Sequence, residues 1–426
     1  MPLNRSLGLI MLTLYGVGMI LGAGIYSIIG QAAGIAGYGL WQGFILAAMA
    51  ALLTALSYAE LATMYPKAGG EYVYLRKAFV ERRWIAGTIG NIMIFAGCAS
   101  AATVALAFAS YLNHFIELPS FVVAMTLLMV FTGVNTFGIQ QSSWVNAIFT
   151  MVEFVGLMIF IWLGWQSPKF GQGIQVLPDM KIVSSAALII FAYFGFENIV
   201  NLVEETKAPE KTIPRAIFLS LIISTVLYIL VSVAAVALMP PAQLALTESA
   251  LTAAASITSP KIAGILGAIA LFSTANTALI ALLTTSRILY GVSRDGALPK
   301  MFSKTLSGRK TPWVAAIIAL CLSVMLLRIG KVETLASVAS FTTMIAFIAV
   351  NIALITLRIN EPGIARPFRV PLSLGSIPLF PVIGILSCVV FLFQFDRLEY
   401  LVGMLAFVGA AGFFFLYSKM NRKQKI

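Results

Sequence analysis

Two hydrophobic segments, each long enough to cross a bilayer, are interrupted near their middles by glycine. The first carries Gly22-Ala23-Gly24 and the sixth carries Phe194-Gly195-Phe196. An intact membrane helix has used up its backbone N–H and C=O groups, so a break is tolerated only where the freed groups meet protein or line a cavity. Paired breaks in corresponding halves of a chain point to a binding site at mid-depth of a transporter.

About twelve stretches approach the ~20 residues that a membrane helix needs. They run over 7–34, 38–64, 84–112, 120–137, 143–165, 182–203, 213–239, 262–290, 312–328, 334–358, 377–394 and 398–418. Of the 426 residues, 60% are hydrophobic and 10% charged, which excludes a water-soluble protein. The first stretch begins close to the N-terminus, runs long and lacks a small-residue cleavage site, so it is expected to stay in place rather than act as a removable signal.

Basic residues set the orientation. With both termini in the cytoplasm of a multi-pass cell-membrane protein, most of the 28 Lys and Arg fall inside. Only Lys169, Lys181, Lys261, Arg328, Lys331 and Arg397 are left outside. The net charge of +12 is thus a topology signal, and no nucleic-acid partner is expected. Cys98, Cys321 and Cys388 lie far apart within spans and read as small apolar fillers. The single histidine, His114, falls at an outer helix end. Neither a His-based metal site nor a Ser-His-Asp hydrolase is available, so no enzyme, metal or cofactor is expected.

The two breaks are five spans apart, an odd number, so the two halves would enter the membrane from opposite sides. Residues 1–165 form one repeat and 182–358 the other, with 377–418 as an accessory hairpin, all in a single transmembrane domain over 1–426. The alanine-rich stretch 241–259 is expected to form a short external helix, a connector and partial lid.

Several motifs resemble the amino acid–polyamine–organocation permeases. They are Gly22-Ala23-Gly24-Ile25, the run from Tyr65-Pro66-Lys67 through Gly69-Gly70-Glu71-Tyr72 to Tyr74, Gly195-Phe196-Glu197, Glu204 to Arg215, and Ser286-Arg287-Ile288-Leu289-Tyr290 with Arg294-Asp295-Gly296. The resemblance runs in order over nearly the whole chain. It implies an all-α membrane protein of twelve transmembrane helices with a LeuT-like five-plus-five inverted repeat and broken helices 1 and 6. It also implies alternating access and an amino acid or related amine as substrate.

A zwitterionic amino acid suits such breaks on physical grounds: half-helix N-termini stabilise its carboxylate, and half-helix carbonyls take its ammonium. The candidate substrate-binding residues are therefore Gly22, Ala23, Gly24 and Ile25, with Phe191, Ala192, Tyr193, Phe194, Gly195, Phe196 and Glu197. By resemblance, the ring of Phe194 or Phe196 lines or gates the side-chain pocket. Small glycines also serve close helix packing, and that reading stands beside the first. Asn91, Phe95, Asn276 and Phe341 are further candidates for the pocket wall.

A carboxyl at a helix centre costs about 2.5–3.5 kcal/mol on insertion scales, so it asks for a partner or a function. Glu153 and Glu197 lie well inside spans, whereas Glu60 is expected to meet the basic loop that follows it. Where many members of the resembled family carry a lysine in the fifth span, this chain has Glu153. It is a candidate to bind a proton directly, or to coordinate a cation such as sodium with Ser273, Thr274 and Thr277. A protonated Glu153 bonded to a first-span carbonyl is the structural alternative. Glu204, Glu205 and Glu210 with Lys207, Lys211 and Arg215 suggest ion pairs of an inner gate.

The expected function is therefore a secondary amino acid transporter, a proton-coupled symporter, with membrane lipid as its surroundings. An amine, polyamine or amino acid exchanger of the same fold is the alternative, and its mark would be acidic residues in the pocket beyond Glu197. A channel or membrane enzyme is remote, because no pore-lining ring or nucleophile constellation is present.

Overall fold

The computed structural model describes residues 5–67, 69–113, 115–176, 179–247, 249–306, 309, 311–329, 331–395 and 397–423. Ala68, His114, Lys310 and Lys425 lie outside the described residues, as do the side chains of Ala23 and of residues 416–423. Apolar residues fill whole helix circumferences here, and in lipid only internal hydrogen bonding satisfies the backbone.

The helices in chain order are α1 (Leu9–Ala36), α2 (Leu40–Met64), α3 (Gly70–Ala78), α4 (Arg83–Asn113), α5 (Ser120–Phe137), α6 (Ile139–Trp165), α7 (Lys181–Tyr193) and α8 (Pro209–Leu238). They continue with α9 (Pro241–Leu244), α10 (Ala250–Thr258), α11 (Pro260–Arg294), α12 (Trp313–Leu326), α13 (Val332–Asn360), α14 (Leu379–Leu392) and α15 (Arg397–Lys423). A two-strand hairpin, β1 (Ser373–Leu374) and β2 (Ile377–Pro378), pairs antiparallel with Ser373 opposite Pro378.

Among the described residues, eight stretches are long and apolar enough to cross a membrane. One of them, Gly24–Met64, joins the second half of α1 to α2 through a turn at Gly37–Gly39. Four shorter apolar helices accompany them: Leu9–Gly22, Trp313–Ile329, Leu379–Leu392 and Tyr400–Phe415. Each stretch read from the sequence overlaps one of the helices.

Two helices organise the interior. α11 packs against α4, α6, α5 and α1, and α1 packs against α7, α8, α6 and α11. The expected single external helix is two short ones, α9 and α10. α10 buries Leu251, Ala254 and Ala255, and its neighbours are α11, α8 and α1. A Cβ on Gly30 of α1 would lie 2.6 Å from the Leu244 carbonyl oxygen, so α9 sits directly on the C-terminal half of α1.

Candidate functional site

Both interruptions are present, and they differ in depth. α1 is helical throughout except at Gly22, whose φ of −36° and ψ of −119° kink it. Its break is thus one residue deep rather than a run through Gly24, and Ile25 is a buried residue of the continuing helix. The sixth span is fully interrupted. α7 stops at Tyr193, Phe194 is extended, Gly195 takes φ +136°, and the chain resumes as a 3-10 helix over Phe196–Glu205. A side chain at that φ is strained, which is why glycine stands there.

Glu197 folds back over the start of the short helix. Its carboxylate accepts the Gly195 N–H at 2.8 Å and the Asn198 side-chain amide at 3.0 Å. A carboxylate beside the first N–H groups of a helix is stabilised there. Both Glu197 oxygens are therefore engaged within its own segment.

The two breaks meet. A Cβ on Gly195 would lie 2.6 Å from Met19 Cγ, and one on Gly24 would lie 2.5 Å from Ala192 Cα. Gly22 faces Thr277 of α11 in the same way. Close packing and helix interruption thus coexist at Gly22 and Gly195, while Gly24 packs closely within the continuing helix.

Tyr228 of α8 joins the breaks. Its hydroxyl donates to the carbonyl of Ile20 and to that of Ala192, the latter at 3.0 Å. In an unbroken helix those carbonyls would serve N–H groups four residues onward. One phenolic proton is shared between them. The Tyr228 ring is held by Phe44 and Tyr193, with centroids at 5.2 and 5.3 Å. Tyr193 itself donates to the Phe44 carbonyl at 3.1 Å. Sequence reasoning passed over Tyr228; the only available signal was a phenol within an apolar span.

Phe194 is half-buried, with rings of Phe191 and Phe347 at 6.0 and 5.5 Å. Phe196 is fully buried against Tyr58 and Phe347. Other proposed wall residues turn elsewhere. Asn91 donates to the Ala410 carbonyl of α15 at 3.2 Å, and Phe341 packs on Tyr400 and Phe395. Asn276 donates to Asn146 Oδ1 at 3.0 Å.

Asn146, Thr150 and Glu153 share one face of α6, at helical spacing. Asn276 of α11 reaches the first two, and Ser273 Oγ donates to Glu153 Oε1 at 2.5 Å. Glu153 is fully buried, and its Oε2 has no hydrogen-bond partner among the described residues. The three α11 hydroxyls thus divide. Ser273 meets Glu153, Thr274 bonds the carbonyls of Ala270 and Leu271 on its own helix, and Thr277 bonds the Ser273 carbonyl beside Gly22. The first-span carbonyl near this seam, Leu14, is reached by Thr150 rather than by Glu153.

Two expectations about charges are corrected. Glu60 does not meet the basic loop after α2; it is fully buried and held by Arg358 of α13 and Arg366 beyond it. Among the described residues, the acidic residues at the end of the 3-10 helix form their ion pairs elsewhere than with Lys207, Lys211 or Arg215. Glu205 pairs with buried Arg287 at 3.4 Å and Glu204 with Arg294 at 2.7 Å, both arginines on α11. Arginine forks bind carboxylates across helices with more geometric control than nearby lysines in a turn.

A family profile described as amino acid permease matches residues 7–421. The chain belongs to the amino acid permease family. This permease is 29% identical to the branched-chain amino acid permease BcaP of Bacillus subtilis, over 99% of its own length and 94% of that relative. It is also 29% identical to the methylthioribose transporter of Bacillus subtilis, over 98% and 94% of the two chains. With the vacuolar cationic amino acid transporter 4 of Arabidopsis thaliana it shares 31% identity, over 88% of this chain and 66% of that one. The permease is a multi-pass membrane transporter, not an enzyme.

Proposed function

We propose that this permease moves an amino acid across the cell membrane by alternating access, as a proton-coupled symporter. The observation that supports this most directly is the meeting of the two helix breaks under one hydroxyl, with the Ile20 and Ala192 carbonyls turned to Tyr228. In this reading the substrate ammonium replaces the Tyr228 hydroxyl at those carbonyls. The substrate carboxylate lies at the start of the Gly24 half-helix, where N–H groups are in excess.

Gly22, Ala23, Gly24 and Ile25 with Phe191 to Glu197 then form the binding region. The rings of Phe191, Phe194 and Phe347 favour an apolar substrate side chain. The engagement of both Glu197 oxygens weighs against a second ammonium, and so against a polyamine. Glu153 carries the coupling proton, with Ser273 as its hydrogen-bond partner and Thr274 and Thr277 flanking.

The architecture that goes with this mechanism is twelve crossings with both termini cytoplasmic. Repeats 1–165 and 182–358 are inverted, and 377–418 form a peripheral hairpin. The test is uptake of radiolabelled leucine, isoleucine and valine by proteoliposomes under an inward proton gradient. Wild type should accumulate at least one of them, and Glu153→Gln should lose gradient-driven accumulation while keeping counterflow. Undiminished accumulation in Glu153→Gln would remove Glu153 from coupling, and accumulation indifferent to the proton gradient would remove symport.

A further inference from the structure

Another buried carboxyl, on α3, has no part in the proposed coupling. Glu71, in the first turn of α3, is fully buried and accepts one hydrogen bond, from the Tyr58 hydroxyl at 2.9 Å. Its other oxygen has no partner among the described residues, and no Lys or Arg there forms an ion pair with it. The groups that face it are Tyr58 of α2, Tyr74 of its own helix and Glu197 of the sixth span, none of them a cation. The Tyr74 hydroxyl is buried and also has no hydrogen-bond partner among the described residues.

The short 3-10 helix closes this site. Asn201 is 1% exposed, and neither its side-chain oxygen nor its nitrogen has a partner among the described residues. Its Oδ1 would lie 3.1 Å from a Cβ on Gly70, next to Glu71. The turn that places α3 here uses φ +106° at Gly69. The Phe196–Glu205 helix is thus one wall of the site, beside Tyr58 of α2, while α4 and α13 pack on the rest of α3.

We propose that Glu71 is a second proton-binding site, separate from the coupling carboxyl, which holds α3 against the cytoplasmic half of the sixth span while protonated and releases it when ionised. An ionised Glu71 in the closed arrangement would be shut away from water beside Tyr58, Tyr74 and Glu197, with no cation paired to it among the described residues. Separation of α3 admits water and removes that penalty. Alkaline cytoplasm thus favours the inward-open form and acid the closed one. Burial pushes the Glu71 carboxyl up to about 7 from 4.5, so the bias grows across that interval and levels off above it.

This inference rests on the alternating-access reading. It is tested by spin labels at Lys77→Cys on α3 and Lys207→Cys just after the short helix, with Cys98, Cys321 and Cys388 replaced by alanine. Pulsed EPR distances in lipid nanodiscs are compared at pH 6 and pH 8. The ratio of long to short distances should rise roughly tenfold. The rise should vanish in Glu71→Gln and persist in Glu153→Gln. Tyr58→Phe, which removes a side-chain bond favouring the charged form, should move the midpoint to higher pH.

Two distance populations indifferent to pH, or a response that survives in Glu71→Gln, would overturn the proposal alone. A response lost in Glu153→Gln instead would assign it to the other carboxyl. A single distance under every condition, with leucine present or absent, would overturn it and count against alternating access as well.

Discussion

Arg358 near the end of α13 grips Glu60 of α2 through two parallel N–H bonds, although the residues are 298 positions apart. Arg366 lies at 3.1 Å from the same carboxylate, and the Val370 N–H donates to it at 2.7 Å. Removing Glu60 leaves two buried guanidinium groups without a counter-charge, whereas removing Arg358 leaves Arg366 on the carboxylate. Glu60→Gln is expected to lower stability by about 3–5 kcal/mol, and Arg358→Met by less. The double variant should lose less than the sum of the two. Thermal unfolding in detergent reads all three, and additive losses would mean that the pair is not coupled.

Tyr228→Phe keeps the ring against Phe44 and Tyr193 and removes only the hydroxyl that spans the two breaks. Two buried carbonyls then lose their donor. Stability is expected to fall by about 1–3 kcal/mol and initial uptake to fall with it. Unchanged melting and unchanged uptake would show that the bridge carries no energy.

Gly195→Ala combines a φ of +136° with a Cβ 2.6 Å from Met19 Cγ. The backbone strain alone is worth about 1–3 kcal/mol. Transport should be lost, and the additional substitution Met19→Ala should recover melting temperature only in part, because it relieves the contact but not the φ. Full recovery would mean that the contact was the whole cost.

Protonation of Glu71 predicts a pH dependence of stability. Its folded-state pKa is raised to about 7 from 4.5, so the folded state binds more protons than the unfolded one between those values. Stability therefore falls as pH rises through that window, by at most about 3 kcal/mol, and stays lowered above it. Melting temperatures of wild type should decline from pH 5 to pH 8 more steeply than those of Glu71→Gln. Parallel curves would mean that Glu71 does not titrate there.

The helices were legible because an apolar run of twenty residues in lipid has one way to satisfy its backbone. The breaks were legible because glycine stood in the middle of two such runs, as Gly22 and Gly24 in the first and Gly195 in the sixth. Partners were not. Glu60 sits seven residues before Lys67, yet its fork comes from Arg358, and Phe341 turns to Tyr400 rather than to the breaks. Which way a side chain points depends on how an all-round apolar helix is rotated, and such a helix has no polar stripe to reveal it. Tyr228 illustrates the same limit: in the chain it is one phenol among many aromatics, and only packing gives it two carbonyls. Asn146, Thr150 and Glu153 were easier, because their spacing along α6 already put them on one side.

The backbone of Leu7, just before α1, runs beside Thr206, with Ser6 and Leu7 N–H groups on the Glu205 carbonyl and Lys207 N–H on the Leu7 carbonyl. These bonds stitch the stubs of both interrupted segments into one yoke. Whatever pulls one stub aside drags the other with it, so discharge of cargo on that face would be a single throw of a shared lever, and cutting the stitches would leave two latches to be sprung separately.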